Sequence, residues 1–358
     1  MKQYLKFHSA CSIVAGATRA IIFDMQRREI EFIPLEMYQV CQKLEDYDIE
    51  AVKKIEGEDN YETVAGYIDF LLAKEICFIC TEEERQWFPR LSYKYETPFD
   101  INNAIVDSNK NSCHDWKKII AQLSYLRCPD VQLRFYDIVS VSLLKEVISY
   151  ANKSAIKNIE VILPFESEPV FDTLFSLLEN EKRICRIVVH SSPVNDHKAA
   201  STRKNIIQVS EKINSASHCG IIDPSLFVVN RSTFLESHQF NTCLNKKISI
   251  DINGDIKNCP SSSKVFGNIG EMELFEAINA IGFKNAWTLN KDQISVCKDC
   301  EFRHICTDCR AYLQYPNDIY SKPLKCGYNP YTGEWQKWSS NPLSKMAIEY
   351  YNIHPIAN

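Results

Sequence analysis

Three features of the sequence predict an α/β fold in three parts. Short strands precede helices at the N-terminus, apolar runs recur in the middle at roughly the 20 to 30 residue spacing of βα units, and the last third is dense in cysteine. The expected organisation is a small α+β domain over 1–95, a partial (β/α) barrel or open parallel sheet over 96–235, and a cysteine-rich domain over 236–358.

In the first part, Ser12 to Ala15 and Arg19 to Asp24 are apolar or β-branched, with Gly16-Ala17 between them as a turn. Glu29 to Ile33 alternates charged and apolar residues at period two, as a strand with one wet face does. Pro34 suits a helix start, and Met37, Val40, Cys41 and Leu44 follow at helical spacing. Further helices are expected over 49–55 and 62–72.

The middle carries the runs Ile101 to Val106, Val131 to Tyr136, Ile159 to Leu163, Ile184 to Val189, Ile206 to Val209 and Leu226 to Val229. Amphipathic segments at 116–126, 143–151 and 170–178 separate the earlier ones, so a parallel sheet is expected. Past Glu236 the alternation stops. Ile248 to Ile252, Asn253-Gly254 and Asp255-Ile256 predict a hairpin with a type I′ turn, and one helix is expected over 271–281.

Composition narrows the partners. A formal net charge of -5 supplies no basic field for gathering phosphates, which argues against nucleic acid. No apolar run reaches the roughly 20 residues that span a bilayer, and no signal-peptide stretch stands at the N-terminus, so a cytoplasmic protein is expected. In that reducing compartment 15 cysteines read as metal ligands more readily than as disulfides. Cys11, Cys41, Cys77, Cys80, Cys113, Cys128, Cys185 and Cys219 lie mostly in apolar segments, where core packing is the default.

The other seven form a constellation. Cys243 and Cys259 flank the expected hairpin, whose two strands bring both thiols to one open end. Cys297-Lys298-Asp299-Cys300 and Cys306-Thr307-Asp308-Cys309 are two C-x2-C knuckles, and Cys326 follows a loop containing Pro316 and Pro323. Seven thiols exceed what one tetrahedral ion takes, so four ligands suit one site and three a second. Spacing alone leaves a zinc staple on Cys297, Cys300, Cys306 and Cys309 level with iron–sulfur ligation.

The run Cys243, Gly254, Cys259, Cys297-x2-Cys300-x5-Cys306-x2-Cys309 and Cys326 resembles the SPASM domain of radical SAM peptide-maturing enzymes. The resemblance implies two 4Fe-4S clusters, one on Cys297, Cys300, Cys306 and Cys326, the other on Cys243, Cys259 and Cys309. Its fourth ligand stays open among His218, Cys219, a substrate group and an open iron. Two residues separate Cys306 from Cys309 where the family usually has three. Upstream, the C-x3-C-x2-C triplet that holds the S-adenosylmethionine cluster is missing: the loop after Ile101 to Asp107 carries Cys113 alone, and Cys77-Phe78-Ile79-Cys80 has Ala73 where a first cysteine would stand. The middle then reads as a degenerate radical SAM barrel.

With that absence, and with Ala20-Ile21-Ile22-Phe23-Asp24, Phe32-Ile33-Pro34, Gln132-Leu133-Arg134-Phe135, the run Cys300 to Arg310 and Asn329-Pro330-Tyr331-Thr332-Gly333, the chain resembles the SPASM-domain peptide maturase of grasp-with-SPASM systems. That resemblance implies a precursor peptide held through its leader, an ATP-grasp ligase as partner, and no S-adenosylmethionine cleavage. The N-terminal part is similar to a peptide-recognition winged helix, so a peptide added as a strand to the small sheet is expected.

Elsewhere the residues support ordinary roles. His8, His190, His197 and His218 have no partner within reach by sequence, Asp251, Asp255 and Asp308 suit turns, and Gly267-Asn268-Ile269-Gly270 is a turn and no phosphate loop. Three functions follow: an accessory peptide-maturation factor, which is preferred, a redox enzyme using its clusters for electron transfer or thiol chemistry, and a zinc-stapled adaptor.

Overall fold

The computed structural model describes residues 2–353. In chain order, β1 (Tyr4–Phe7), β2 (Cys11–Ala15), β3 (Ala20–Asp24) and β4 (Glu29–Ile33) precede α1 (Leu35–Leu44), α2 (Ile49–Glu56), α3 (Tyr61–Ala73), β5 (Cys77–Cys80) and α4 (Glu82–Arg85). Strands and helices then alternate as β6 (Asn103–Ser108), α5 (Trp116–Tyr125), β7 (Asp130–Phe135), α6 (Val141–Ala151), β8 (Asn158–Pro164), α7 (Glu168–Asn180) and β9 (Ile184–His190). There follow β10 (Asp196–Ser201), β11 (Lys204–Gln208), α8 (Arg231–Gln239), β12 (Lys247–Ile250), β13 (Ile256–Lys257), α9 (Leu274–Asn279), β14 (Tyr328–Asn329), β15 (Glu334–Trp335) and α10 (Pro342–Tyr350).

These elements sort into two compact units. The first combines Met1–Tyr95, Ile222–Thr242 and Leu289–Asn358, and the second combines Glu96–Ile221 and Cys243–Thr288. In the first, β2, β3 and β4 form an antiparallel sheet, and β1 pairs separately with β5. The central strand β3 reads Ala-Ile-Ile-Phe-Asp with no alternation, and its packing says why. Ala20 and Ile22 face a cluster built on α1 to α3, including Met37, Leu44 and Leu71. Ile21 and Phe23 on the opposite face meet Phe234, Phe302, Ile305 and Tyr328. A strand covered on both faces has no use for polar positions. Pro34 stands at the N-cap of α1, and the Asp48 side chain accepts from the Ala51 N–H at 3.0 Å to start α2, which Gly57 ends with φ +91°.

The second unit is a mostly parallel sheet of eight strands in the order β10-β11-β9-β8-β7-β6-β12-β13. Only β10 and β13 run antiparallel to their neighbours. One face carries the core, with Val131, Leu133, Val161 and Ile187 packed under α5, α6, α7 and α9. The other face is polar. Gln132 Nε2 donates to Glu160 Oε2 at 2.9 Å, Glu160 meets Arg186 at 3.5 Å, and Arg186 Nε donates to Asn205 Oδ1 at 3.3 Å, so one row of polar side chains crosses four adjacent strands.

Three expectations are corrected. Leu226 to Val229 is no strand: Pro224 lacks a donor, Asp223 accepts from the Ser225 N–H at 2.9 Å, and a short 3-10 turn forms over Pro224–Leu226. Ile206 to Gln208 does lie in a strand, β11, which pairs parallel with β9 and antiparallel with β10. The loop after Ile250 is longer than a two-residue type I′ turn, since Gly254 has φ +85° while Asn253 does not have positive φ, and Asp251 accepts from the Gly254 N–H at 2.9 Å. Cys113 is exposed on a loop, outside the core. Among the described residues no helix is long and apolar enough to cross a membrane.

Candidate metal centre

Four of the seven constellation cysteines meet inside the first unit. Cys297 opens a 3-10 turn in which the Cys300 N–H donates to the Cys297 carbonyl at 3.0 Å, so the first knuckle turns both thiols to one side. Val296, just before it, has φ +68°, a costly conformation for a β-branched residue, and it re-aims the chain at the first ligand position. The Phe302 carbonyl takes the Cys306 N–H at 3.1 Å, and Cys326 is held where Ile222 N–H donates to the Lys325 carbonyl at 3.1 Å.

The electrostatics record the convergence. Burial raises the Cys297 thiol; Lys291 opposes this and Asp308 and Cys326 add to it. Burial likewise lifts Cys306 to about 12, with Lys291 opposing and Cys326 and Cys297 adding. Cys300 is raised well above its ordinary value by burial, with the Phe302 backbone N–H opposing and Cys297, Glu301 and Cys306 adding. These thiols sense one another, so ionising one alone is unfavourable, and a cation that binds all of them relieves the cost. Lys291 is the built-in cation: it is 5% exposed, its Nζ lies 4.0 Å from Cys297 Sγ and 3.6 Å from Asp308 Oδ1. Burial pulls its pKa down, but Cys297, Cys306 and Asp308 hold it well above the ordinary lysine value. Asp308 is in turn fixed by Arg310 at 2.7 Å and by Asn241 Nδ2 at 2.7 Å. The donor set is all sulfur in a dry, cationic setting, which fits an iron–sulfur cluster or a zinc ion.

The N-terminal sheet grips this segment from behind. Ala17 N–H donates to the Asp299 carbonyl at 2.8 Å, Arg303 Nη1 donates to the Ala15 carbonyl at 2.6 Å, and the fully buried Glu301 accepts from Arg19 Nε at 2.7 Å and from the Tyr328 hydroxyl. Cys309 belongs to the same unit but packs in a separate apolar cluster with Tyr312, Leu324 and Ala347.

Cys243 and Cys259 lie in the second unit. Asn258 Nδ2 donates to the Leu244 carbonyl at 3.0 Å and to the Lys247 carbonyl at 2.7 Å, clamping the two arms of the hairpin together. Lys247 Nζ donates to Cys243 Sγ at 3.4 Å. Burial lowers the Lys247 pKa, but Cys243, Cys259 and Cys219 outweigh it and hold it above its ordinary value. Cys219 itself accepts from Arg134 Nη1 at 3.0 Å. Arg134 pairs with Asp107 through two bonds of 2.6 and 2.7 Å, and the Tyr136 hydroxyl donates to the same carboxylate at 2.8 Å. His218 has both ring nitrogens engaged, with Glu211 at 3.0 Å and Asn214 at 3.2 Å.

Sequence reasoning missed Lys291, Lys247 and Glu301, because nothing in a lone lysine or glutamate announces burial. It also missed His238 and His304, which with Asp292 bring ligand atoms within 4.8 Å of one another. Their rings stack with centroids 3.8 Å apart and planes 26° apart, so the in-plane lone pairs run nearly side by side and do not meet at one ion.

A second feature of the first unit bears on peptides. His8 N–H donates to the Ile76 carbonyl at 3.0 Å, so antiparallel alternation turns the backbone groups of Leu5 and Phe7 away from β5. Met25 N–H donates to the Ala10 carbonyl at 2.9 Å, so Cys11, Ile13 and Ala15 turn away from β3. A cavity of about 270 Å³ lies along these two edges, with Tyr38 and Cys41 of α1 as one wall.

No protein-family description and no curated protein matches the sequence. Solved structures of Streptococcus suis SuiB share 11 to 12% identity with this chain, over 89% of it and 98% of theirs. They include SuiB bound to S-adenosylmethionine, at a TM-score of 0.32, and SuiB bound to precursor peptide SuiA, at 0.30.

Proposed function

We propose that this chain is an iron–sulfur protein of peptide maturation that holds a precursor peptide for an ATP-grasp ligase and does not itself cleave S-adenosylmethionine. The observation that carries the cluster half is the convergence of Cys297, Cys300, Cys306 and Cys326 around buried Lys291. A bound four-iron cluster supplies one-electron redox capacity and a rigid staple for a segment with little regular structure. Lys291 offsets its negative charge, and the apolar walls Phe302 and Ile305 keep water from it.

The peptide half is supported by the outward backbone groups of Leu5, Phe7 and Ile13, which match an extended chain. The absence of S-adenosylmethionine cleavage is supported by the single cysteine between β6 and α5, and by the buried Arg134–Asp107 pair at the carboxyl ends of β6 and β7, where parallel sheets bind ligands. Two measurements test the reading. Protein purified without oxygen should contain iron and acid-labile sulfide approaching two four-iron clusters, and should form no 5′-deoxyadenosine from S-adenosylmethionine after reduction. Co-expression with a precursor and an ATP-grasp ligase should yield a mass-shifted peptide only when all three are present. Stoichiometric zinc without sulfide, or an unchanged product mass when this chain is omitted, would refute it.

A further inference from the structure

We infer that Cys219 is a metal ligand of the second cluster, joining Cys243 and Cys259 as a third thiolate within the second unit. The inference rests on the iron–sulfur reading above and deepens it. The segment before Cys219 is a short 3-10 turn, Ala216–His218, and the Cys259 loop is tied to it by a bond from Ser261 Oγ to the Ala216 carbonyl at 2.9 Å. That bond draws Cys259 and Cys219 toward each other, across 40 residues of chain, in the region that the Asn258 clamp shares with Cys243.

Two cations mark the place. Lys247 Nζ donates to Cys243 Sγ at 3.4 Å, and Arg134 Nη1 donates to Cys219 Sγ at 3.0 Å. Arg134 already has its carboxylate, Asp107, so its contact with Cys219 adds a second sink for negative charge. Among the described residues no carboxylate forms an ion pair with Lys247, and sulfur is what its ammonium meets. A partly buried ammonium without a counter-anion is costly, and three neutral thiols do not supply one. Thiolates on a cluster do, since cluster and ligands together are anionic. His218, the neighbouring alternative, has both ring nitrogens occupied by Glu211 and Asn214.

Serine at 219 keeps an acceptor for Arg134 but is a poor iron ligand, which separates ligation from a merely structural role. In full-length Cys219→Ser purified without oxygen, iron and sulfide should fall by about half, or the reduced-cluster EPR signal should change, with circular dichroism as in the wild type. A footprint on wild-type protein needs no variant to fold: Cys219 should resist alkylation together with Cys243 and Cys259, and all three should react once a chelator strips the metal. Unchanged iron and EPR in Cys219→Ser, alongside loss in Cys259→Ser, would overturn the assignment, as would equal labelling of Cys219 before and after stripping. Zinc without sulfide in the wild type would instead overturn the iron–sulfur reading, and the same footprint would still decide Cys219.

Discussion

Gly16 shows how one residue ties sequence to site. A Cβ there would come within 2.7 Å of Glu301 Oε2 and 2.8 Å of the Glu301 backbone nitrogen, and backbone does not yield as a flexible side chain does. Gly16→Ala should therefore destabilise the first unit by about 1–3 kcal/mol, read as a lower urea midpoint at unchanged slope. A midpoint equal to wild type would mean that the strand-to-cysteine contact is loose. His304 makes a second residue-scale prediction. Burial, then His238 and Arg303, lower its pKa from 6.5 to about 2, so the folded state takes up fewer protons than the unfolded chain. This contribution is complete above pH 6.5 and is lost as pH falls toward 2, at about 1.4 kcal/mol per pH unit. His304→Gln should flatten the acid limb of the stability profile between pH 6 and about 4, and an unchanged slope would assign the acid sensitivity elsewhere.

Among the elements, β1 and β2 make the most specific offer to a partner. They follow each other in sequence and meet at the turn where Cys11 N–H donates to the His8 carbonyl at 2.8 Å, yet each pairs with a different neighbour, leaving two edges along one cavity. Natural proteins usually blunt such edges, and an extended peptide satisfies them. Ile13 turns its N–H away from β3, so Ile13→Pro removes an outward donor without breaking the ladder. Leader-peptide affinity of the full chain, followed by fluorescence anisotropy, should fall at least about fivefold, which corresponds to about one lost hydrogen bond. Phe32→Pro on β4 should affect it less, because β4 is the edge of the three-stranded sheet opposite β2. Equal losses in both variants would move the docking edge to β4.

Considered whole, the molecule interleaves its chain: the first 95 residues share a compact unit with Ile222–Thr242 and Leu289–Asn358. Phe234, Phe302 and Tyr328 from those later segments cover the second face of β3. A fragment of residues 1–95 would expose Ile21 and Phe23, both at 0% exposure in the full chain, and with them about 2 kcal/mol of burial apiece. It should melt well below the full-length protein and bind an apolar dye. A fragment as stable as the full chain would show the later segments to be dispensable for folding.

Much was legible in the sequence because it depends on near neighbours. The 3.6-residue spacing of Met37, Val40, Cys41 and Leu44 specified α1, the strand-and-helix rhythm from β6 to β9 specified a parallel sheet, and two C-x2-C knuckles announced a thiol site. Alternation within Val131-Gln132-Leu133-Arg134-Phe135 and Ile159-Glu160-Val161 already carried the wet face of the sheet, although the apolar residues dominated the reading. Tertiary structure alone decided what depends on distant pairs. It set Lys291 beside Cys297, Arg134 against Cys219, Ala17 on Asp299 and Ile21 under Phe302, because burial and ion pairing are created by whatever folds over a residue, and a lysine or a lone cysteine has no local pattern by which to declare its future neighbours.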